Sequence, residues 1–199
     1  MCAKDLTHKL MNNEHVIYID ESTFHQWRRP TKMWLHTVHN DVPIAAKRGR
    51  SILAIGGLSN KKGMLALKIT AEPNTKDTFI EFFNQLMLNL DSERATIVLD
   101  NLRSHHSKEI EAIAEAHGVE LLFLPPYTCE FNPIETVWSL IKRQWAKKLI
   151  ENLGKDMTED EMIAALYEIA NSNTKEKYKN IARAHYCALA LSIRQGKLI

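Results

Sequence analysis

Cysteine is scarce in this 199-residue chain: Cys2, Cys129 and Cys187 stand far apart and form no Cys-x-x-Cys pair. A disulfide framework is disfavoured, and a zinc centre would have to gather histidines from distant places. The nine histidines include no His-x-x-x-His pair with the glutamate of a metalloprotease between them. Thiol usage of this kind suits a reducing compartment. Long apolar runs are also missing, and none approaches the roughly 18 to 20 residues of a membrane span. The opening Met-Cys-Ala-Lys-Asp-Leu-Thr has no apolar stretch behind its charge, so no secretory signal is expected. Charge of one sign is lacking too. With 26 Lys and Arg against 24 Asp and Glu, the net charge of +2 permits a nucleic-acid ligand without demanding one. Repeats and low-complexity tracts are absent.

What is present is enough apolar material for a core. Hydrophobic residues make up 45% of the chain and charged residues 25%, in a length that fits one domain with a small appendage. The boundary is placed at 155, giving a main domain over 1–155 and a helical extension over 156–199 packed on it.

Periodicity sets out the elements. After a short amphipathic lead-in, residues 15–19 read as a strand. Residues 24–50 read as a long, partly irregular excursion with a basic rim. The apolar stretches 51–58 and 64–70, joined by Ser59-Asn60-Lys61-Lys62-Gly63, read as a hairpin. The period then changes: Phe79, Phe82, Phe83, Leu86 and Leu90 recur at three and four residues, predicting a helix over 74–89. Residues 95–99 form a continuous apolar run, as expected of a central strand covered on both faces. A helix over 107–117 ends at Gly118, and a strand over 119–124 stops at Pro125-Pro126. Pro133 suits the first helical position with Asn132 as its cap, opening a helix to about 149. Two more helices follow, the second over 175–194. Three early strands followed by alternation predict an α/β fold with a mixed five-stranded sheet and flanking helices. This is the element order of an RNase H-like fold, with spatial strand order 3-2-1-4-5 and the second strand antiparallel to its neighbours.

Three acids sit where this fold would gather them. Asp20 follows the apolar His-Val-Ile-Tyr-Ile, Asp100 follows Ala-Thr-Ile-Val-Leu, and Glu135 opens a helix in Asn-Pro-Ile-Glu-Thr-Val-Trp. A carboxylate beside an interior element costs desolvation energy unless a cation or donors neutralise it. Three of them at one sheet edge would hold a hard divalent metal and favour phosphodiester chemistry. Taken singly, each acid also has a plain reading as a helix cap, a solvated turn residue or a first-turn acid at the positive end of a helix.

The blocks around these acids resemble the catalytic domain of Tc1/mariner transposases, members of the DDE superfamily. The resemblance rests on Tyr18-Ile19-Asp20-Glu21-Ser22, on Val98-Leu99-Asp100-Asn101-Leu102-Arg103-Ser104-His105, and on Leu124-Pro125-Pro126-Tyr127 through Asn132-Pro133-Ile134-Glu135-Thr136-Val137-Trp138. It covers residues 14–150, with 34 residues between Asp100 and Glu135. It implies that Asp20, Asp100 and Glu135 are the catalytic acids and bind two magnesium (or manganese) ions. Asn101 and His105 would be supporting residues. DNA would be the substrate partner, and a homodimer through the catalytic domain is implied. Two ions about 3.5 to 4 Å apart clamp the attacking and leaving oxygens of an in-line displacement at phosphorus, so no covalent protein intermediate is needed.

Basic residues complete the set. Arg28, Arg29, Lys32, Lys47, Arg48 and Arg50 lie in the excursion after Asp20, and Lys142, Arg143, Lys147 and Lys148 lie on the helix carrying Glu135. Of these, Arg28, Arg29, Lys47, Arg48, Arg50, Arg143 and Lys147 are assigned to DNA binding, against the alternative of a solvated surface. Arg143 and Lys147 share one helix face, with Lys147 about 18 Å along the axis from Glu135. That reach suits flanking backbone phosphate rather than the cut site. Trp138 is expected in the core, while Trp27 and Trp34 either meet DNA or a partner or anchor a long loop.

Only 19 residues precede Asp20, so the paired recognition modules of full-length Tc1/mariner transposases are expected to be missing. Three functions stay open: a metal-dependent DNA transposase or endonuclease domain performing hydrolysis and strand transfer, a non-catalytic nucleic-acid-binding or assembly protein of the same descent, or an unrelated α/β phosphotransfer domain. The expected location is the nucleus in a eukaryote, or the cytoplasm and nucleoid in a bacterium.

Overall fold

The structure is a computed structural model that describes residues 2–26, 50–91, 94–102, 105–126, 128, 131–152 and 156–194. Helix α1 (Cys2–Met11) leads into β1 (Val16–His25), β2 (Ser51–Ser59) and β3 (Gly63–Thr70). Then α2 (Lys76–Leu90), β4 (Thr96–Leu99), α3 (Lys108–Ala116) and β5 (Glu120–Phe123) alternate. Helices α4 (Ile134–Glu151), α5 (Glu159–Asn171) and α6 (Lys175–Arg194) follow. The five strands form one sheet in the order β3-β2-β1-β4-β5. β2 runs antiparallel to β1 and β3, while β1, β4 and β5 are parallel. The mixed RNase H-like sheet predicted from the sequence is therefore the one observed.

Alternation along the strands divides the core into two layers. Val16, Tyr18, Phe24 and Val98 point to the face covered by α4, α5 and α6, where Trp138, Ile141, Trp145, Leu166 and Ile169 pack. Ile17, Ile19, Ile97 and Leu99 point to the other face, against Phe79, Phe82, Phe83 and Leu86 of α2 and Ile110 of α3. Each of those buried side chains is worth roughly 1.5–3 kcal/mol. Met162, Ala165, Leu166, Ile169 and Ala170 of α5 join the first layer directly.

Local signals fix the ends. Thr75 caps α2 by accepting from Thr78 N, Ser107 caps α3 by accepting from Ile110 N, and Thr158 with Glu161 forms a full capping box on α5. Gly118 closes α3 with φ of 64°.

Two differences from expectation bear on the site. Strand β1 does not stop near Asp20 but continues to His25, because β2 pairs with it residue by residue as far as His25↔Ser51. Ser22 and Phe24 stay buried along that stretch, and Trp145 Nε1 donates to His25 O at 3.1 Å. The start of α4 is displaced by one position: Pro133 is the boundary residue, and Ile134 opens the helix. Asn132 still serves that end, since its Oδ1 accepts from Ile134 N at 3.3 Å. The excursion with Trp27, Arg28, Arg29, Lys32, Trp34, Lys47 and Arg48 lies outside the described residues. Among the described residues no helix is long and apolar enough to cross a membrane.

Candidate functional site

Strand register brings the first two acids together. β1 and β4 pair as Val16↔Thr96, Ile17↔Ile97 and Tyr18↔Val98, and the same offset carries Asp20 alongside Asp100. Adjacent strands lie about 4.8 Å apart. Because Tyr18 and Val98 belong to the layer under α4, the two-residue period sends Asp20 toward that side as well. Asp100 follows the last residue of β4, at the carboxyl end of the parallel strands, where open α/β sheets present their ligand crevices.

Glu135 arrives from the first turn of α4, the positive end of that helix. Two buried side chains fix this helix against β1. Asn132 donates from Nδ2 to Ile19 O at 3.1 Å, tying the residue before Asp20 to the segment before Glu135. Trp138, one turn after Glu135, donates from Nε1 to Asp20 Oδ2 at 3.1 Å. The indole fits there because Gly56 is the cross-strand partner of Asp20. A Cβ at Gly56 would stand 2.8 Å from Trp138 Cη2. Asp20, Asp100, Asn101, Asn132 and Glu135 line one pocket of about 290 Å³, walled by Leu102, Leu124, Pro125 and Pro126.

Electrostatics mark this pocket. Burial raises the Asp20 carboxyl to about 7, and the negative charges of Glu135, Glu21 and Asp100 push the same way against a hydrogen bond from the Glu21 backbone. Asp100 is held on one oxygen, which accepts from Leu102 N at 3.2 Å and lies 2.7 Å from His105 Nδ1. The histidine contact is one of charge more than alignment, since Nδ1 has no well-directed acceptor. On its other side His105 Nε2 is 3.1 Å from Glu21 Oε1. Burial alone would lower the His105 pKa, but the two carboxylates outweigh it and hold the imidazole at about 9.

Three carboxylates facing one pocket are hard oxygen donors of the kind Mg²⁺ and Mn²⁺ take, and a cation would offset the burial and the neighbouring negative charge that raise Asp20. They are not yet gathered into a coordination shell: among the described residues, no three His, Cys, Asp or Glu side chains are grouped to hold an ion. Asp100 meets His105 through Oδ1, and Asp20 meets Trp138 through Oδ2.

The remaining expected residues fall in different places. Asn101 lines the pocket, its Oδ1 accepting from His106 Nε2 at 2.7 Å, with His106 stacked on Phe123 at 4.0 Å. Arg143 and Lys147 are exposed on α4, and Lys147 is 79% exposed with a loose 3.9 Å pairing to Glu151. Arg50 is already engaged, donating to Met157 O at 2.7 Å and lying 3.8 Å from Asp156. Arg28, Arg29, Lys47 and Arg48 are outside the described residues. Sequence reasoning missed four contributors. Glu21 adjoins an acid that drew attention first; Trp138 carries an apolar spacing that hid its N–H; Asn132 read as a cap only; and Gly56 sat in an apolar strand. The strand register with Asp20 was the signal for Gly56, and it becomes visible only when the hairpin is aligned.

Residues 15–155 match the family described as DDE superfamily endonuclease. Among solved structures, the Mos1 mariner paired end complex with Mn superposes with a TM-score of 0.76 at 12% identity, covering 98% of this chain and 60% of that one. The pre-cleavage Mos1 transpososome gives 0.73 at 12% identity, covering 96% and 60%. The Mos1 transposase catalytic domain with Raltegravir and Mg gives 0.65 at 11% identity, covering 96% and 90%. At such identities the likeness is one of fold. An uncharacterized protein of Sinorhizobium fredii is 30% identical over 60 residues, which is 30% of this chain and 42% of that protein. The chain thus spans 60% of the chains in the two Mos1 assemblies and under half of the Sinorhizobium protein.

Proposed function

The chain belongs to the DDE superfamily endonucleases, and from that premise we propose that it is a metal-dependent DNA-cutting and strand-transferring domain of transposase type. The observation that carries this reading is the convergence of Asp20, Asp100 and Glu135 on one pocket from two register-aligned strands and a helix start. Asp20, Asp100 and Glu135 are the residues that would hold Mg²⁺ or Mn²⁺. The Mos1 complexes solved with Mn and with Mg support that choice. When bound, a pair of such ions neutralises phosphate charge and promotes attack by water or a DNA 3′-hydroxyl.

This chain's own residues do the rest. Asn132 and Trp138 fix the separation between β1 and the start of α4, and with it the placement of Glu135 relative to Asp20. Leu102, Leu124, Pro125 and Pro126 give the pocket an apolar wall beside the acids. Asn101 brings an amide to the same pocket, and its N–H groups suit a phosphate oxygen where carboxylates would repel it. Arg143 and Lys147 stand exposed farther along α4, where cations would meet flanking backbone phosphate.

DNA is accordingly the partner in this reading. A second copy of the chain is its expected companion, by likeness to the Mos1 paired end complexes. The site of action is wherever the host keeps its DNA, the nucleus or the nucleoid.

The test is nicking of supercoiled plasmid by the purified chain with Mg²⁺, Mn²⁺ or chelator. Cutting should require the ion and disappear in Asp20→Asn and Glu135→Gln. DNA binding without cutting by a chain that binds Mn²⁺ normally would favour a non-catalytic assembly role instead. Cutting in chelator would remove the metal-dependent reading.

A further inference from the structure

Glu21 is a carboxylate with no part in the proposed acid set, yet its side chain is only 9% exposed. A charge so placed is costly unless it is bonded. Its Oε1 has two partners: His105 Nε2 at 3.1 Å and, more distantly, Asn74 Nδ2 at 3.4 Å. His105 is itself 1% exposed and lies against the Phe79 ring at a centroid distance of 4.2 Å. The imidazole therefore has one face packed and one nitrogen bonded, and it turns the other nitrogen to Asp100 Oδ1 at 2.7 Å.

Asp20 and Glu21 are consecutive on a strand, so their side chains leave it on opposite faces. Asp20 goes to the pocket under α4. Glu21 goes to the layer where Phe79 and Ile19 pack and meets His105 from beneath the pocket. Both contacts of Asp100, from Leu102 N and from His105, fall on Oδ1.

We infer that Glu21 is a positioning residue for the proposed metal site, acting through His105. It anchors the imidazole, the imidazole claims one oxygen of Asp100, and the other oxygen of Asp100 is thereby committed to the cation. Groups that hydrogen-bond a ligating carboxylate from behind orient it, and loss of such outer partners typically weakens metal binding. The inference rests on the metal-site reading given above.

The full-length chain is titrated with Mn²⁺, free ion being followed by electron paramagnetic resonance, and its melting is recorded separately without metal. Glu21→Ala should weaken Mn²⁺ binding by about 10- to 100-fold. Glu21→Gln, which keeps an acceptor for His105 Nε2, should stay within a few-fold of wild type. His105→Asn should lose affinity like the alanine variant, and it keeps the inference testable if Glu21→Ala does not fold. A purely structural Glu21 would lower the melting temperature of Glu21→Ala and leave the Mn²⁺ affinity of the folded protein unchanged. That result, or tighter binding by Glu21→Ala, would overturn the inference. Asp100→Asn separates the two levels: if it binds Mn²⁺ as wild type does, the metal-site reading itself fails and takes this inference with it.

Discussion

Replacing Gly56 by alanine adds a single methyl group, on the strand opposite Asp20. That carbon would stand 2.8 Å from Trp138 Cη2, 3.0 Å from Trp138 Cζ2 and 3.2 Å from Ile134 Cδ1. Carbon atoms at rest are about 3.5 to 4 Å apart, so roughly 1 Å of movement is required. The indole is fully buried against Phe24, their ring centroids 6.4 Å apart, and has little room to turn within its layer. The movement must pass to α4, whose first turn holds both Ile134 and Glu135. Overpacking of this kind costs about 1–3 kcal/mol. The 3.1 Å bond from Trp138 to Asp20 would be stretched as well. A 1 Å displacement of a catalytic group costs on the order of 100-fold in rate. Gly56→Ala should therefore lose a modest amount of stability in urea and a disproportionate amount of metal-dependent nicking. Trp138→Phe, which shrinks the ring, should restore most of the stability to the double variant while leaving nicking impaired, because the donor to Asp20 is gone. Interaction between the two sites is read from the double-mutant cycle. Wild-type stability together with wild-type nicking in Gly56→Ala would refute the packing argument, and strictly additive effects would show that Trp138 does not transmit it.

Further outcomes follow from the same contacts. The Asp20 carboxyl, raised to about 7, opposes folding of the metal-free protein when ionised. Its contribution is therefore most favourable below the unfolded value near 4 and is lost as pH rises through 7. Mn²⁺ should reverse that loss, so the rise in melting temperature on adding Mn²⁺ should be larger at pH 8 than at pH 6. Asp20→Asn should flatten this difference, and an equal Mn²⁺ effect at both pH values would contradict the assignment. Asn132→Ala removes a buried donor to Ile19 O and an acceptor for Ile134 N. It should cost about 1–3 kcal/mol for the groups left unpaired, measured by urea denaturation, with Mn²⁺ affinity falling too. Arg143→Gln with Lys147→Gln should weaken binding of any DNA sequence alike and reduce the salt slope by about 1 for each lost phosphate contact. An unchanged slope would return both residues to the solvated surface.

Much of this architecture was legible in the chain because two periods dominate it. A helix brings Phe79, Phe82, Phe83 and Leu86 onto one buried face, and Ile97, Val98 and Leu99 are apolar in succession because helices cover both faces of the sheet there. The acids were legible for a related reason: each interrupts or follows an apolar stretch, where charge is expensive. What the sequence hid was set by pairing across long separations. The length of β1 depends on β2, 26 residues beyond its end, and no local signal near Asp20 announces that the strand continues. Trp138 has the spacing of a core residue and is one, but its N–H reaches Asp20 across 118 residues of chain. Glu21 and His105 are separated by 84 residues, and only the folded sheet shows that they meet beneath Asp100. The acid pair could be placed by strand register, whereas the network that orients it depends on side-chain direction, which spacing alone does not supply.

Asp20, Asp100 and Glu135 are proposed to form one cation site. Crystals of the chain soaked in Mn²⁺ and measured at the manganese absorption edge would locate that cation. Anomalous density should appear in the pocket bounded by these three residues, with carboxylate oxygens of Asp20 and Asp100 among its nearest atoms, and it should be lost in Asp100→Asn. Density elsewhere on the protein and none between these acids, or density in the pocket that survives Asp100→Asn unchanged, would mean that the three acids do not form a cation site.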